Sequence, residues 1–133
     1  MAGDEIMIVA GVGCRGTASA EDIEQVVRMA LDMFKLPAER LNALATESAK
    51  ATEPAFVEAA RRLAVTLRAC TLDELGSVAG LVLTPSRLVL ETKGVPSIAE
   101  ASALVIAGRH ARLLGSRVAT AQATCAIAIG EGR

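Results

Sequence analysis

The chain has 133 residues, a formal net charge of −1 and 52% hydrophobic residues, which suits a single domain over residues 1–133. The charge gives no general attraction to nucleic acid or anionic lipid, and two Phe with no Trp or Tyr leave no platform for stacking bases. No stretch reaches the roughly 18 apolar residues of a membrane span. We therefore expect neither a nucleic-acid partner nor a membrane.

The cysteines are odd in number and widely spaced, at Cys14, Cys70 and Cys125, and His110 is the one histidine. Such a set fits a reducing cytoplasm better than a disulfide framework and predicts no metal site. The first five residues are polar and slightly acidic, unlike a secretory signal. We expect a cytoplasmic protein with no bound metal or cofactor.

In the first half of the chain, the apolar run at residues 5–11 predicts a strand that is buried on both faces. Ser19 follows as a helix N-cap with acidic residues in the first turn, and apolar residues at helical spacing continue to Phe34. Three further elements are predicted: a strand at 41–45, a helix capped by Thr52 and a strand at 65–70.

The second half continues the alternation of strands and helices. It predicts a helical turn at 71–75, strands at 87–91, near Leu113 and at 123–129, and a helix at 94–108 with Ser97 and Glu100 in capping-box spacing. This order predicts an α/β fold, a three-layer α/β/α sandwich whose mostly parallel, mixed sheet has about five or six strands.

Residues 11–16 match the pattern G-x-G-x-x-G, which binds the pyrophosphate of a dinucleotide in some α/β folds. The helix cap at Ser19 falls three residues after Gly16, so the loop is longer than in that fold. Glu47 lies 31 positions beyond Gly16 (47 − 16), whereas the fold places an acidic residue after about 20. Dinucleotide binding is therefore disfavoured. A glycine turn before a helix still favours anions, and Arg15 strengthens that preference; the alternative is a tight turn with a solvated arginine.

Four stretches in order suggest a family. They are "GVGCRGTAS" at 11–19, "LATESAKATEPAF" at 44–56, "GVPSIAEASAL" at 94–104 and "ATCAIAI" at 123–129. This series resembles the cobalamin-biosynthesis family formed by stand-alone CobE and the C-terminal domain of CbiG. The resemblance implies an α/β/α sandwich with a role in the corrin-ring pathway. CbiG-type proteins carry a further N-terminal domain, open a lactone on a cobalt-precorrin and release a two-carbon fragment, so the chain resembles the stand-alone type.

A corrin precursor is a broad apolar ring fringed with carboxylates, and ligands of parallel sheets collect at the carboxyl ends of the strands. The segments predicted at that edge are 13–19, 46–50 and 92–97, which offer hydroxyls, N–H groups and cations. The predicted ligand-binding residues are Gly13, Arg15, Gly16, Thr17, Ser19, Thr46, Ser48, Lys50, Lys93 and Ser97.

Three residues at the predicted edge are candidate catalytic groups. Cys14 is either a nucleophile or a small packing residue. Glu100 is either a general base or a helix cap, and Glu47 either orients a water or is a solvated charge.

The first hypothesis for the function is a carrier or accessory protein that binds a precorrin or corrin intermediate, with or without cobalt, beside the pathway enzymes. The alternative is a cobalt-precorrin-5A lactone hydrolase that releases acetaldehyde, and a more distant one is a phosphate- or dinucleotide-binding module. The apolar content also suggests a homodimer.

Overall fold

A computed structural model of the chain describes residues 6–83 and 97–132. In these residues one sheet contains six strands: β1 (Met7–Cys14), β2 (Ala43–Glu47), β3 (Thr66–Cys70), β4 (Arg112–Leu113), β5 (Val118–Ala119) and β6 (Ala123–Gly130). Their spatial order is β3-β2-β1-β6-β4, with β5 also paired to β6. The pairs β1–β2 and β2–β3 are parallel, whereas β6 runs antiparallel to β1, β4 and β5.

The same residues form five α-helices: α1 (Ala20–Met33), α2 (Ser48–Ala51), α3 (Pro54–Leu63), α4 (Leu72–Gly76) and α5 (Ile98–Ala107). Short 3-10 turns lie at Ala38–Arg40 and Ala79–Leu81. α1 and α3 pack on one face, and α5 packs on the other with Leu75 of α4. The predicted α/β/α sandwich with a mixed sheet is confirmed, but the described strands form two parallel and three antiparallel pairs, so the sheet is not mostly parallel. None of the described helices is long and apolar enough to cross a membrane.

The first strand differs most from its prediction. β1 continues to Cys14 instead of ending at Gly11, because β6 pairs with it over its whole length, from Met7↔Gly130 to Cys14↔Ala123. The prediction of a glycine-rich turn beginning at Gly11 was therefore wrong, since Gly11 and Gly13 are strand residues.

Smaller differences occur elsewhere in the chain. β2 begins and ends two residues later than predicted, and the N-cap of α3 is Glu53 rather than Thr52, because Pro54 occupies the first helical turn. β5 was not predicted, since two residues give too short a pattern. The predicted strand at 87–91 lies outside the described residues.

The two strand glycines allow α5 to approach β1 closely. A Cβ atom on Gly11 would lie 2.1 Å from the carbonyl oxygen of Ala99 and 2.6 Å from the backbone nitrogen of Ala103. Alternation along β1 places Gly11 and Gly13 on the face that meets α5, and Val12 on the face that meets α1 and α3. The glycine pattern is therefore a packing surface for a helix.

α5 runs antiparallel to β1. Its first turn lies against Gly13, where an added Cβ would be 3.3 Å from Cβ of Ile98, and its last turn lies against Gly130, where an added Cβ would be 2.4 Å from the oxygen of Ala107. Because Gly130 pairs with Met7, the first turn of α5 lies at the carboxyl end of β1.

Candidate functional site

One edge of the sheet gathers the segments that the sequence singled out. It consists of the residues that end or follow β1 and β2 (13–19 and 46–50), the N-cap of α5 at Ser97, and the turn that leads into β6 (120–124); we call this edge the rim. Parallel strands β1 and β2 both end here, and the antiparallel strand β6 begins here. The rim is therefore the place where ligands of open α/β sheets bind.

The turn after β1 is tied to the turn before β6. The Arg15 backbone N–H donates to the Gln122 carbonyl at 3.0 Å, and Arg15 Nε donates to the Ala121 carbonyl at 3.0 Å. Thr17 Oγ1 donates to Oε1 of Gln122 at 3.2 Å. Within the described part of the chain, no carboxylate pairs with the exposed Arg15 guanidinium. Arg15 is thus held through its backbone and through Nε of the guanidinium, and the remaining N–H donors of that group can bind an anion.

Two threonine hydroxyls hold the last carbonyl groups of β1. Oγ1 of the buried Thr46 donates to the Val12 carbonyl at 2.7 Å, and Oγ1 of Thr124 donates to the Gly13 carbonyl at 3.3 Å. Thr46 belonged to the predicted set, whereas Thr124 and Gln122 did not. Both residues lie where the last strand begins. Their place on the rim could be predicted only if that strand were known to run antiparallel to β1.

Cys14 lies half-buried among charged groups of the rim. Burial raises the pKa of the Cys14 thiol above its ordinary value; Lys50 opposes the shift, while Glu53 and Glu47 add to it. Lys50 Nζ lies 3.7 Å from Oε2 of Glu53, three residues along the chain. A raised pKa keeps the thiol protonated at neutral pH, which disfavours the nucleophile hypothesis and favours small packing for this cysteine.

Glu47 ends β2 with only 4% of its surface exposed. The interpretation that its carboxylate faces solvent was therefore wrong. The residue after it, Ser48, is exposed at the start of α2. Glu53 was missed by the sequence analysis, although it stands three residues after Lys50, the spacing of neighbours on a helical turn.

Helix capping occupies two of the predicted hydroxyls. Ser19 Oγ accepts the Asp22 N–H at 3.1 Å, and the Asp22 carboxylate accepts the Ser19 N–H at 2.9 Å, which completes a capping box. Ser97 Oγ accepts the Glu100 N–H at 3.2 Å. Both residues lie on the rim, but these contacts already explain why a serine stands at each position.

Glu100 is fully buried in the first turn of α5. Its two carboxylate oxygens accept the backbone N–H groups of Leu83 at 3.0 Å and Arg117 at 3.1 Å. These contacts favour a structural carboxylate over a general base, because the side chain is buried and joins two backbone segments to α5.

The structure brings most of the predicted site to one edge. The residues on the rim are Gly13, Cys14, Arg15, Gly16, Thr17, Ser19, Thr46, Glu47, Ser48, Lys50 and Ser97, with Glu100 one helical turn away. Lys93 lies outside the described residues. Among the residues that the structure describes, no group of three or more His, Cys, Asp or Glu side chains could hold a metal ion.

Comparison with known proteins gives consistent matches. The family described as "Cobalamin synthesis G C-terminus" matches residues 8–128. A curated protein, "Protein CobE" from Sinorhizobium sp, is 33% identical over 121 residues, which are 91% of this chain and 79% of that protein.

Two solved structures share the fold over almost the whole chain. A crystal structure of CobE, a protein from the cobalamin (vitamin B12) biosynthetic pathway, has a TM-score of 0.88 and 30% identity, and the match covers 93% of this chain and 90% of that one. The cobalamin biosynthesis protein chiG from Agrobacterium tumefaciens has a TM-score of 0.72 and 38% identity, with 92% and 97% covered.

Proposed function

This chain is a cobalamin-biosynthesis protein that belongs to the cobalamin synthesis G C-terminus family, and on that premise we propose that its rim binds a carboxylate-rich corrin-ring intermediate. In this role the protein presents or protects the intermediate beside the enzymes of the pathway. The ligand would lie across the ends of β1 and β2 and against the first turn of α5.

The observation that carries this proposal is the meeting of Arg15 and Lys50 at one edge of the sheet, beside the helix N-cap at the buried Ser97. Arg15 follows β1, Lys50 follows β2, and Ser97 begins the helix that lies against Gly13. Had the two cationic side chains lain at opposite ends of the strands, no single ligand could contact both. Their common edge gives a many-armed acid several separated anchoring points.

The chemistry of the rim suits such a ligand. Arg15 and Lys50 supply positive charge for carboxylates, and the exposed Ser48 hydroxyl and the turn at Gly16 supply polar hydrogens. Gly16 leaves open space, since an added Cβ would meet no atom within 4 Å. A ring can therefore approach the backbone at this point.

Binding is favoured over lactone hydrolysis by the state of the candidate catalytic groups. A nucleophilic Cys14 would need to be a thiolate at neutral pH, and the pKa of its thiol is raised. Glu100 is 0% exposed and accepts two backbone N–H groups, so its carboxylate does not face a ligand on the rim. Neither group is arranged to start an attack on a carbonyl carbon.

The test is a titration of the purified protein with cobyrinic acid, a corrin whose side chains end in carboxylates, followed by the visible spectrum of the ligand. We expect a saturable spectral shift that weakens as ionic strength rises, because salt screens charge pairing. Arg15→Ala should weaken binding about tenfold, the value of one hydrogen bond to a charged group. Arg40→Ala is the matched control, because Arg40 is exposed in the turn before β2, away from the rim.

Two further ligands sharpen the test. Cobinamide, in which the carboxylates are replaced by amides, should bind much more weakly than cobyrinic acid. Equal binding of the two corrins, or no shift at ligand excess, would reject the proposal. Acetaldehyde formed from a cobalt-precorrin lactone would instead identify a hydrolase.

A further inference from the structure

Glu100 uses its buried carboxylate to join three segments of the chain. The side chain belongs to the first turn of α5 and is 0% exposed. One oxygen accepts the N–H of Leu83 and the other accepts the N–H of Arg117, at 3.0 and 3.1 Å. Taking a carboxylate out of water is costly unless hydrogen bonds replace the lost solvation. The two backbone hydrogen bonds therefore explain why a carboxylate is buried at this position.

One of these bonds fixes the backbone of Arg117 beside the rim. Arg117 immediately precedes β5, and Val118 of β5 pairs with Cys125, which pairs in turn with Val12. Arg117, one residue before Val118, therefore lies about level with Gly11 on β1, whose last residue is Cys14. The bond to Glu100 places it beside the same helical turn that lies against Gly13. Both observations place Arg117 beside the first turn of α5, next to the rim on the side of β6.

The side chain of Arg117 is half-buried. In residues 6–83 and 97–132 no carboxylate lies within ion-pair distance of its guanidinium. The nearby Glu100 carboxylate binds the Arg117 backbone instead of the guanidinium. The planar guanidinium group of an arginine can donate two parallel hydrogen bonds to one carboxylate.

We propose that Glu100 is a positioning residue that fixes Arg117 on the rim as a further binding group for a ligand carboxylate. This inference rests on the proposed function, since it extends the same site from the ends of β1 and β2 to the side of β5. Arg15 and Arg117 then bind different carboxylates of one ring, and the Glu100 carboxylate contacts no ligand itself.

The experiment combines binding with amide hydrogen exchange, using cobyrinic acid as the probe. Arg117→Ala should weaken binding about tenfold. Arg117→Lys should recover part of that loss, because lysine keeps the positive charge but cannot donate two parallel hydrogen bonds to a carboxylate. Glu100→Gln keeps one acceptor oxygen but turns an NH₂ group toward a backbone N–H. It should therefore speed exchange at the amide of Leu83 or Arg117 and weaken binding several-fold.

A double variant separates positioning from a general structural effect. If Glu100 acts through Arg117, Glu100→Gln should change the affinity less than about twofold in a protein that already carries Arg117→Ala. Arg112→Ala is the matched control, because Arg112 is exposed on β4 and pairs with Ile129 at the opposite end of β6. It should bind the probe like the wild-type protein.

Each outcome distinguishes this inference from the proposed function. If the wild-type protein does not bind cobyrinic acid, the proposed function fails, while exchange at Arg117 still tests the positioning bond. If the wild-type protein binds and Arg117→Ala binds equally well, the inference alone is overturned. Should Glu100→Gln fail to fold, the two Arg117 variants and the Arg112 control still decide whether the guanidinium binds the ligand.

Discussion

Helices α1 and α5 cover opposite faces of β1 and meet their surroundings in different ways. α1 buries one stripe, including Ile23, Val27 and Leu31, and exposes charged residues on its other side. All ten residues of α5 are buried, and its backbone lies directly against Gly11. α1 packs on β1 through side chains of both elements. α5 packs on β1 through close backbone contact, which only glycine allows.

The two helix layers also differ in how their charged side chains are paired and how deeply they are buried. On the outer side of α1 and α3, Glu24, Glu58 and Arg62 form ion pairs between exposed or half-buried side chains. On α5, the Glu100 carboxylate is buried and accepts hydrogen bonds from the main chain. Exposed pairs contribute little to stability, whereas loss of a buried carboxylate leaves its donors unpaired. Substitutions in the α5 layer should therefore have the larger effects.

The largest expected effect follows from adding one methyl group to the α5 face of β1. Gly11→Ala should lower the free energy of unfolding by about 3 kcal/mol or more, since overpacking commonly costs 1–3 kcal/mol and here the new atom meets helix backbone at 2.1 Å. Gly13→Ala should cost less, because the nearest atoms to its Cβ are side-chain atoms at 3.3 Å. Urea denaturation gives both values.

Gly16→Ala is the matched control within the same glycine pattern. Its Cβ would meet no atom within 4 Å, and its backbone φ is not in the left-handed region, so we expect unchanged stability or a gain of about 0.5 kcal/mol. A Gly11→Ala protein as stable as the wild type would mean that α5 does not lie on β1 in this way.

A second prediction concerns the thiol at the end of β1. Burial raises the pKa of Cys14 and Lys50 opposes that shift, so Lys50→Met should raise the pKa further and slow alkylation by iodoacetamide several-fold at pH 8. Because the pKa is raised on folding, the protonated thiol is the form that the fold favours, and this contribution is lost as pH rises through the folded-state pKa. The measurement is the alkylation rate as a function of pH.

Two variants control this experiment. Glu53→Gln should act in the opposite direction to Lys50→Met, because Glu53 raises the pKa of Cys14. Cys14→Ser should abolish the faster-labelling thiol, since Cys70 and Cys125 are buried. If Lys50→Met leaves the alkylation rate unchanged, the ammonium group does not lie near Cys14, and the rim loses one of its anchoring points.

The sequence predicted the α1 layer better than the α5 layer. Ser19, the acidic first turn and the helical spacing of apolar residues are local signals, and they located α1 within a residue. The role of Gly11 depends on a helix almost ninety residues later in the chain, so no local pattern could separate a packing surface from a phosphate loop.

The same limit applies to the candidate site. Residues that follow parallel strands, such as Arg15 and Lys50, could be placed at one edge from the order of elements alone. Thr124 lies at that edge because β6 reverses direction, and Arg117 lies beside it because Glu100 binds its backbone across 17 positions of sequence. Contacts of this kind depend on tertiary packing, which leaves no spacing rule in the sequence.

The smallest expected effect lies on the outer side of α3. Hydrogen bonds from Arg61 and Arg62 lower the pKa of the exposed Glu58 carboxyl to about 2. A lowered folded-state pKa stabilises the fold above the unfolded value and loses that contribution as pH falls through about 2. Glu58→Gln should therefore lower the melting temperature slightly at pH 7, and the difference from wild type should vanish near pH 2. Glu39→Gln, which removes a carboxylate at an exposed position without an ion pair in the described residues, is the matched control and should leave the melting temperature at pH 7 unchanged. An effect of Glu58→Gln as large as that of Gly11→Ala would overturn the contrast between the two layers.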